Sequence, residues 1–327
     1  MLKNITHGKC LLPQKTILPI ITMLIMFFTL SCKHHHTKGQ PHAATEPKYT
    51  PGLHLQAGAK YYFNIDNETA STFEVNDKPL ESNNHVKAGL IYEVVKDTAG
   101  GFLVKMEYDR FDVAVKTGDN VREMNSEDGA NSVDPVERML AMMKGKFLLV
   151  TLNSKGKVTK VDGYKELTDE IMGGITTQNE QDRQQMRNQL SNTLGQDLIK
   201  NSAELGFGLM PDSTVYEGDS WTKNLTQISD VKMDIAGTYT LSSVDDNIAD
   251  IDAHADINDN DSSVSMMGYN VAVNLAGKED ANYKADLSTG MLVSGTSGLS
   301  IKGTVEINGK EVPVGIKVKK KISVKRI

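Results

Sequence analysis

Residues with chemical potential are sparse in this 327-residue chain, and few of them stand at useful spacing. There are two cysteines, Cys10 and Cys32. His34, His35 and His36 are consecutive, with His42 close behind. Neutral imidazoles bind zinc, copper or nickel, but no Cys or carboxylate flanks the run to complete a shell, so it reads as a solvated spacer. Asp245, Asp246, Asp250, Asp252, Asp256, Asp259 and Asp261 form the one acidic cluster. A calcium loop of the EF-hand kind starting at Asp256 would find Asn258 and Asn260 at the right offsets. It then fails, because Asp261 replaces the turn glycine and Met267 replaces the closing glutamate. The cluster therefore reads as two turns around a strand whose outer face carries Asp250 and Asp252. His54, His85 and His254 are far apart in sequence, and a lone histidine on a strand is by default structural. There is no His-Glu-x-x-His, no Gly-x-Ser-x-Gly and no phosphate loop. The expectation is a protein that is not an enzyme, with no catalytic residue, metal or cofactor.

Cys32 gains meaning from what precedes it. Lys3, Lys9 and Lys15 are the only charges before Lys33, and the uncharged stretch from Thr16 to Ser31 is dense in Ile, Leu, Met and Phe. A basic segment followed by an apolar one of this length is an export signal, short for a membrane-spanning helix. It ends in Phe28-Thr29-Leu30-Ser31-Cys32. A small residue followed at once by Cys resembles the lipobox of bacterial lipoproteins, with Thr29 standing where Leu is commonest. Looser versions of this kind resemble lipoproteins of the Bacteroidota. The resemblance implies cleavage before Cys32 and acylation, palmitate included, of that residue. Acyl chains hold a protein to a bilayer at about 0.8 kcal/mol per buried CH₂. The alternatives are an ordinary signal peptide with an incidental Cys, or an uncleaved anchor. With Cys10 in the removed part, no disulfide can form within the rest.

The charge balance is −6, and cleavage removes three Lys and no acid, so the exported body is more acidic still. That excludes a general nucleic-acid footprint and disfavours lying flat on an anionic leaflet. Residues 1–31 are expected to be the signal and residues 32–51, rich in His, Thr, Gly and Pro, a flexible tether. The run Lys33-His34-His35-His36 lacks the acidic residues common after the Cys of surface-exposed Bacteroidota lipoproteins. The expectation is therefore the outer membrane, periplasmic face, or else the inner membrane.

The elements that would position any site are mostly strands. Gly58-Ala59-Lys60-Tyr61 and Gly218-Asp219-Ser220-Trp221 are both Gly-x-x-aromatic, and each leads into hairpin signals. Asn153 to Gly156 and Ser288 to Gly290 are turns at matching places later on. Three elements recurring in order suggest a duplicated half, with a first β half over 52–163 and a second over 211–327. The first half carries a helix over 134–144, capped by Asp134 and opened by Pro135. A helical segment over 164–210 separates the halves. Asn308-Gly309 predicts a tight hairpin, and Pro313 places its second arm toward an edge. Beyond it, Ile316, Val318, Ile322 and Val324 alternate with Lys317, Lys319, Lys321 and Lys325. That reads as a half-buried strand with a lysine-protected wet face.

The predicted fold is α+β, mainly β: two curved antiparallel sheets with helices between the halves packed on one face. This order of elements is similar to a family of Bacteroidota lipoproteins of unassigned function. The residues carrying the likeness are Gly58, Tyr61, Leu152, Asn153, Gly156, Val158, Gly218, Asp219, Ser220 and Trp221. At the level of fold alone it is similar to the half-barrel lipoprotein carriers of the periplasm, an analogy that carries no residue roles. An apolar groove between sheet and helices is expected, lined by Met139, Leu140, Met143, Met186 and Leu190, since methionine suits adaptable apolar surfaces. Its occupant would be a lipid or another apolar ligand. The rival expectation is a scaffold that holds another envelope protein, with a hydrolase a more distant third.

Overall fold

The alternation after Pro313 becomes the strand that joins the two halves of the chain. In the computed structural model, β14 (Lys310–Arg326) buries Val314, Ile316, Val318 and Ile322 on one face and exposes Lys317, Lys319 and Lys321 on the other. It pairs on one side with β13 (Met291–Ile307) and on the other with β2 (Lys60–Val75). The structure describes residues 34–36, 48–75, 78–174, 180, 183–184, 187, 190, 195–228, 232–258, 262–266, 269–307 and 309–327.

Because β14 is shared, the protein has one large antiparallel sheet and not the two expected from sequence. Fourteen strands belong to it. From β2 the chain meanders through β3 (Lys78–Thr98), β4 (Gly101–Thr117), β6 (Phe147–Asn153) and β7 (Val158–Asp162). On the far side of β14, counting outward from β13, come β12 (Tyr269–Asp286), β10 (Ile248–Asn258), β9 (Lys232–Asp245) and β8 (Ser220–Ile228). Three short strands attach to the sheet: β5 (Asn120–Asn125) on β4, β11 (Ser262–Met266) on β12, and β1 (His34–His36) on β8. The sheet is open, with β7 at one end. Pro313 is accommodated within a central strand because β2 pairing begins only at Val314, opposite Phe73. Its missing N–H faces the side that has no neighbour yet.

The two runs start alike. Gly58 and Gly218 have φ of +83° and +87°, a conformation that glycine adopts without a Cβ penalty. Gly58 donates to the Val94 carbonyl at 2.7 Å, and Val94 donates back to Ala59 at 2.9 Å. Gly218 donates to the Leu241 carbonyl at 2.7 Å, and Leu241 donates back to Asp219 at 3.0 Å. The later turns are also tied together. Leu53 donates to Ser154 at 3.0 Å, and the next residue, His54, donates to Thr289 at 3.0 Å.

Among the described residues three α-helices can be followed end to end. The first, α1 (Pro135–Met143), follows the sequence expectation closely. The Asp134 carboxylate accepts from Val136 N at 2.8 Å and Glu137 N at 3.3 Å, and it is ion-paired with Arg122. A charged cap at a helix N-terminus both satisfies orphan donors and opposes the helix dipole. Asp134→Ala is expected to lower stability by about 1–2 kcal/mol, read as a lower urea midpoint with an unchanged slope. Next, α2 (Tyr164–Gly174) buries Leu167, Ile171 and Met172. The third, α3 (Gln196–Phe207), lies against the inner face of the sheet. Its Glu204 carboxylate accepts from Val158 N at 2.9 Å. Burial, opposed by that bond and by Lys200, Lys157 and Lys223, raises the Glu204 pKa. Phe207 meets the Tyr92 ring edge-on at 5.3 Å, and Phe63 sits 4.7 Å from Tyr92.

Candidate functional site

Among the described residues several hollows are present, and one on each face of the sheet bears on binding. The first is the inner face beneath α3. Phe63, Ile65, Leu90, Tyr92, Leu292 and Ile322 point there from four strands, and Leu205 and Gly206 close it from the helix. The void they leave is about 20 Å³, room for roughly one water molecule. On the far run the interior is organised around aromatic rings. Trp221 stacks on its register partner Tyr239 at 6.0 Å, and Tyr239 on Tyr283 at 6.4 Å. The small Ala253 opposite Tyr239 and the bare Gly295 beneath the Tyr283 ring leave the space those rings need. The buried Lys223 donates to the Gly208 carbonyl at the end of α3 and lies 5.4 Å over the Tyr239 ring.

One feature of the inner face has no counterpart in the sequence expectation. Lys320, on β14, points inward with the aliphatic residues and is 7% exposed. By register it stands between Ser297 on β13 and Asn67 on β2. Glu279 on β12 is 4% exposed, accepts from the Ser297 hydroxyl and is electrostatically coupled to Lys320. Burial lowers the Lys320 pKa, with Glu279 acting against it. Burial also raises the Glu279 pKa, opposed by Lys320 and Ser297. Asn67, Thr69, Ser71, Ser82 and Asn84 continue this polar belt across β2 and β3, all buried.

The second place is on the opposite, outer face. A groove of about 700 Å³ runs over β2, β3 and β4 to β5. Gly89, Ala88 and Ala114 form part of its floor, and Asn64, His85, Lys87, Arg110, Asp112 and Glu123 line its sides. The Tyr62 ring lies over Gly89, where a Cβ would come within 2.1 Å of its hydroxyl, and that hydroxyl donates to Asp109 at 3.0 Å. Burial and the Asp109 carboxylate raise the Tyr62 pKa. At the groove's rim His85 Nε2 lies 2.6 Å from Asp66 Oδ1, with Glu68 alongside.

The residues singled out from sequence fall in different places. Met139, Leu140 and Met143 on α1, and Leu190 in the helical segment, are all buried in the common core. None of them lines the void under α3. Met186 and Cys32 lie outside the described residues. Asp250 and Asp252 do face outward on β10, where Lys284 donates to Asp250 at 2.7 Å and Asn282 to Asp252 at 3.0 Å. Bonds from Ser242 and Asn282 hold the Asp252 pKa below its ordinary value. His254 is taken up by Asp280 at 2.7 Å. Of the three body histidines, His85 alone stands with two carboxylates whose oxygens all lie within 4.8 Å of it and of one another.

Comparison with solved structures finds only distant β-sheet proteins. An outer membrane channel from Pseudomonas putida F1 is 6% identical, with 88% of this chain and 100% of that one covered and a TM-score of 0.19. The translocator domain of the autotransporter NalP from Neisseria meningitidis is 6% identical, covering 84% and 90%, with a TM-score of 0.20. OccK7 (OpdD) from Pseudomonas aeruginosa is 6% identical, covering 83% and 100%, with a TM-score of 0.24. At such scores none of these likenesses bears on fold or function. No curated protein matches the chain in sequence. The profile of a family of unknown function matches residues 99–292, from the start of β4 into β13.

Proposed function

The chain belongs to that family, DUF6263, and from this premise we propose that it is a non-enzymatic lipoprotein of the bacterial cell envelope that binds another envelope protein along its outer face. The reading rests on one contrast: the void beneath α3 measures about 20 Å³, whereas the outer groove offers about 700 Å³. Binding sites for discrete partners commonly need several hundred Å³. Side chains of both signs, Lys87 and Arg110 against Asp112 and Glu123, suit a polar segment of a partner better than an acyl chain. Two of the buried ionisable groups are bonded to backbone inside the core, Lys223 to the Gly208 carbonyl and Glu204 to Val158 N. The anchor is the lipidated Cys32, and the periplasmic face of the outer membrane is the proposed location. Among the described residues no helix is long and apolar enough to cross a membrane. The matched Gly58 and Gly218 corners support descent from a duplicated half.

Cys32→Ala is expected to shift the protein from the membrane fraction to the soluble fraction and to abolish incorporation of labelled palmitate. Unchanged fractionation would remove the anchor from this reading. The groove is tested by placing a photoreactive residue at Asn64 and, as a control, at Asp256 on the same outer face. A single discrete crosslinked product in cells is expected from position 64 and none from 256. Equal labelling from both positions, or from neither, would overturn the groove.

A second reading keeps an apolar ligand. It is favoured by the position of the interior void, beneath α3 and walled almost wholly by hydrocarbon. Here α3 lifts to admit an acyl chain, and native mass spectrometry of envelope-purified protein would carry its added mass.

A further inference from the structure

We propose that Asp66, Glu68 and His85 form a binding site for a divalent first-row transition ion on the outer face of the sheet. Asp66 and Glu68 are two apart on β2, so both side chains leave the same face. His85 is the register partner of Glu68 on β3, so its ring rises beside them. The imidazole nitrogen and two carboxylate oxygens lie within 4.8 Å of one another. Donors bound to one zinc at about 2.0–2.2 Å need to stand only a little over 3 Å apart. Small rotamer changes would bring the three there, and the His85–Asp66 hydrogen bond holds two of them together in advance.

The donor set narrows the ion. One imidazole and two carboxylates suit zinc and its neighbours better than calcium, which prefers six to eight oxygens. Three protein ligands leave a coordination position for water or for a donor arriving along the groove. Register also sets Lys321 beside Asp66 and Lys319 beside Glu68 on β14, and Lys87 beside Asp66 on β3. None of these lysines is ion-paired with Asp66 or Glu68 among the described residues, so the carboxylates are not already neutralised. At 39% and 35% exposure, the His85 and Asp66 side chains are open to a hydrated ion.

The experiment is a Zn²⁺ titration of the full chain in detergent, in competition with a chromogenic chelator. It uses a background in which His34, His35, His36 and His42 are replaced by Ala, so that tether imidazoles do not contribute. One equivalent of zinc is expected. His85→Ala and Asp66→Asn are each expected to weaken it at least about tenfold, since loss of an outer-sphere partner alone costs 10–100-fold. His254→Ala, on the same face, with Asp280 at 2.7 Å from one ring nitrogen and Asp256 at 3.9 Å from the other, is expected to leave binding unchanged, because its carboxylates do not gather around one point. Co²⁺ gives a second readout, a visible absorption band that disappears with His85→Ala. The site is overturned if the background variant binds no zinc, or if His85→Ala and His254→Ala bind alike. Circular dichroism of each variant verifies that the sheet persists, so loss of binding reports on the site.

Discussion

Lys320→Met is expected to cost about 3–5 kcal/mol of folding free energy, and Glu279→Leu made in the same chain is expected to return most of it. The single substitution leaves the Glu279 carboxylate buried with only the Ser297 hydroxyl for compensation. Removing one of two electrostatically coupled buried charges leaves the other uncompensated, whereas replacing both by apolar groups is neutral or stabilising. The double variant should therefore fall within about 1 kcal/mol of the parent, the margin being the orphaned Ser297 hydroxyl. The pH dependence has a definite sign. Burial raises the Glu279 pKa in the folded chain, so the folded state holds a proton that the unfolded state has already released. Stability of the single variant relative to the parent should recover as pH falls through that raised value and be poorest above it. Urea unfolding of the two variants decides the matter. A single variant within about 1 kcal/mol of the parent, or a double variant no better than the single, would refute the coupling. Lys319→Met, one residue earlier and facing outward, should change stability by less than about 0.5 kcal/mol.

Gly156→Ala is expected to be nearly as damaging, by about 3–5 kcal/mol, for a different reason. Gly156 has a φ of +76°, and a Cβ there would stand 1.8 Å from the Phe207 carbonyl oxygen. The left-handed conformation alone costs a residue with a Cβ about 1–2 kcal/mol. The clash is with backbone, so the C-terminus of α3 has to move. With it would go the packing of Phe207 on Tyr92 and the Glu204 bond to Val158. The surrounding turn cannot yield, because the Asn153 side chain accepts from both Lys155 N and Lys157 N at 2.9 Å. Gly218→Ala isolates the conformational cost, since its φ is +87° and nothing lies within 4 Å of the added atom. Thermal unfolding should place the Gly218 variant well above the Gly156 variant. Equal losses would mean that the contact with α3 contributes nothing.

What could be read from the residues was local. Asp134-Pro135 announces α1, Asn153 to Gly156 announces its turn, and the Gly-x-x-aromatic pairs announce two strand starts that prove to share their hydrogen bonding. The joining of the halves was not legible. The β2–β14 pairing brings together segments from opposite ends of the body, and neither carries a mark of its partner; alternation fixes which face is wet, not which strand lies alongside. Lys320 was missed for a related reason. In Lys317-Val318-Lys319-Lys320-Lys321 a lysine run looks wholly solvated, and only its even-numbered place beside Val318 and Ile322 puts Lys320 inside. The acidic run after Asp245 drew attention through density, yet Asp250 and Asp252 are spent on their neighbours Lys284 and Ser242. Asp66, Glu68 and His85 had no such density, and they meet only because β2 and β3 pair in one particular register.

The seam between β2 and β14 also constrains how the molecule comes into being. A strand laid down early must wait, with one edge bare, until almost all of the remaining body has been made. Pairings so distant along the chain are entropically slow to form. An exposed edge during that interval invites capture by a neighbouring chain. Chaperones that shield unfinished β-sheets would therefore matter most for this chain in the period before β14 arrives.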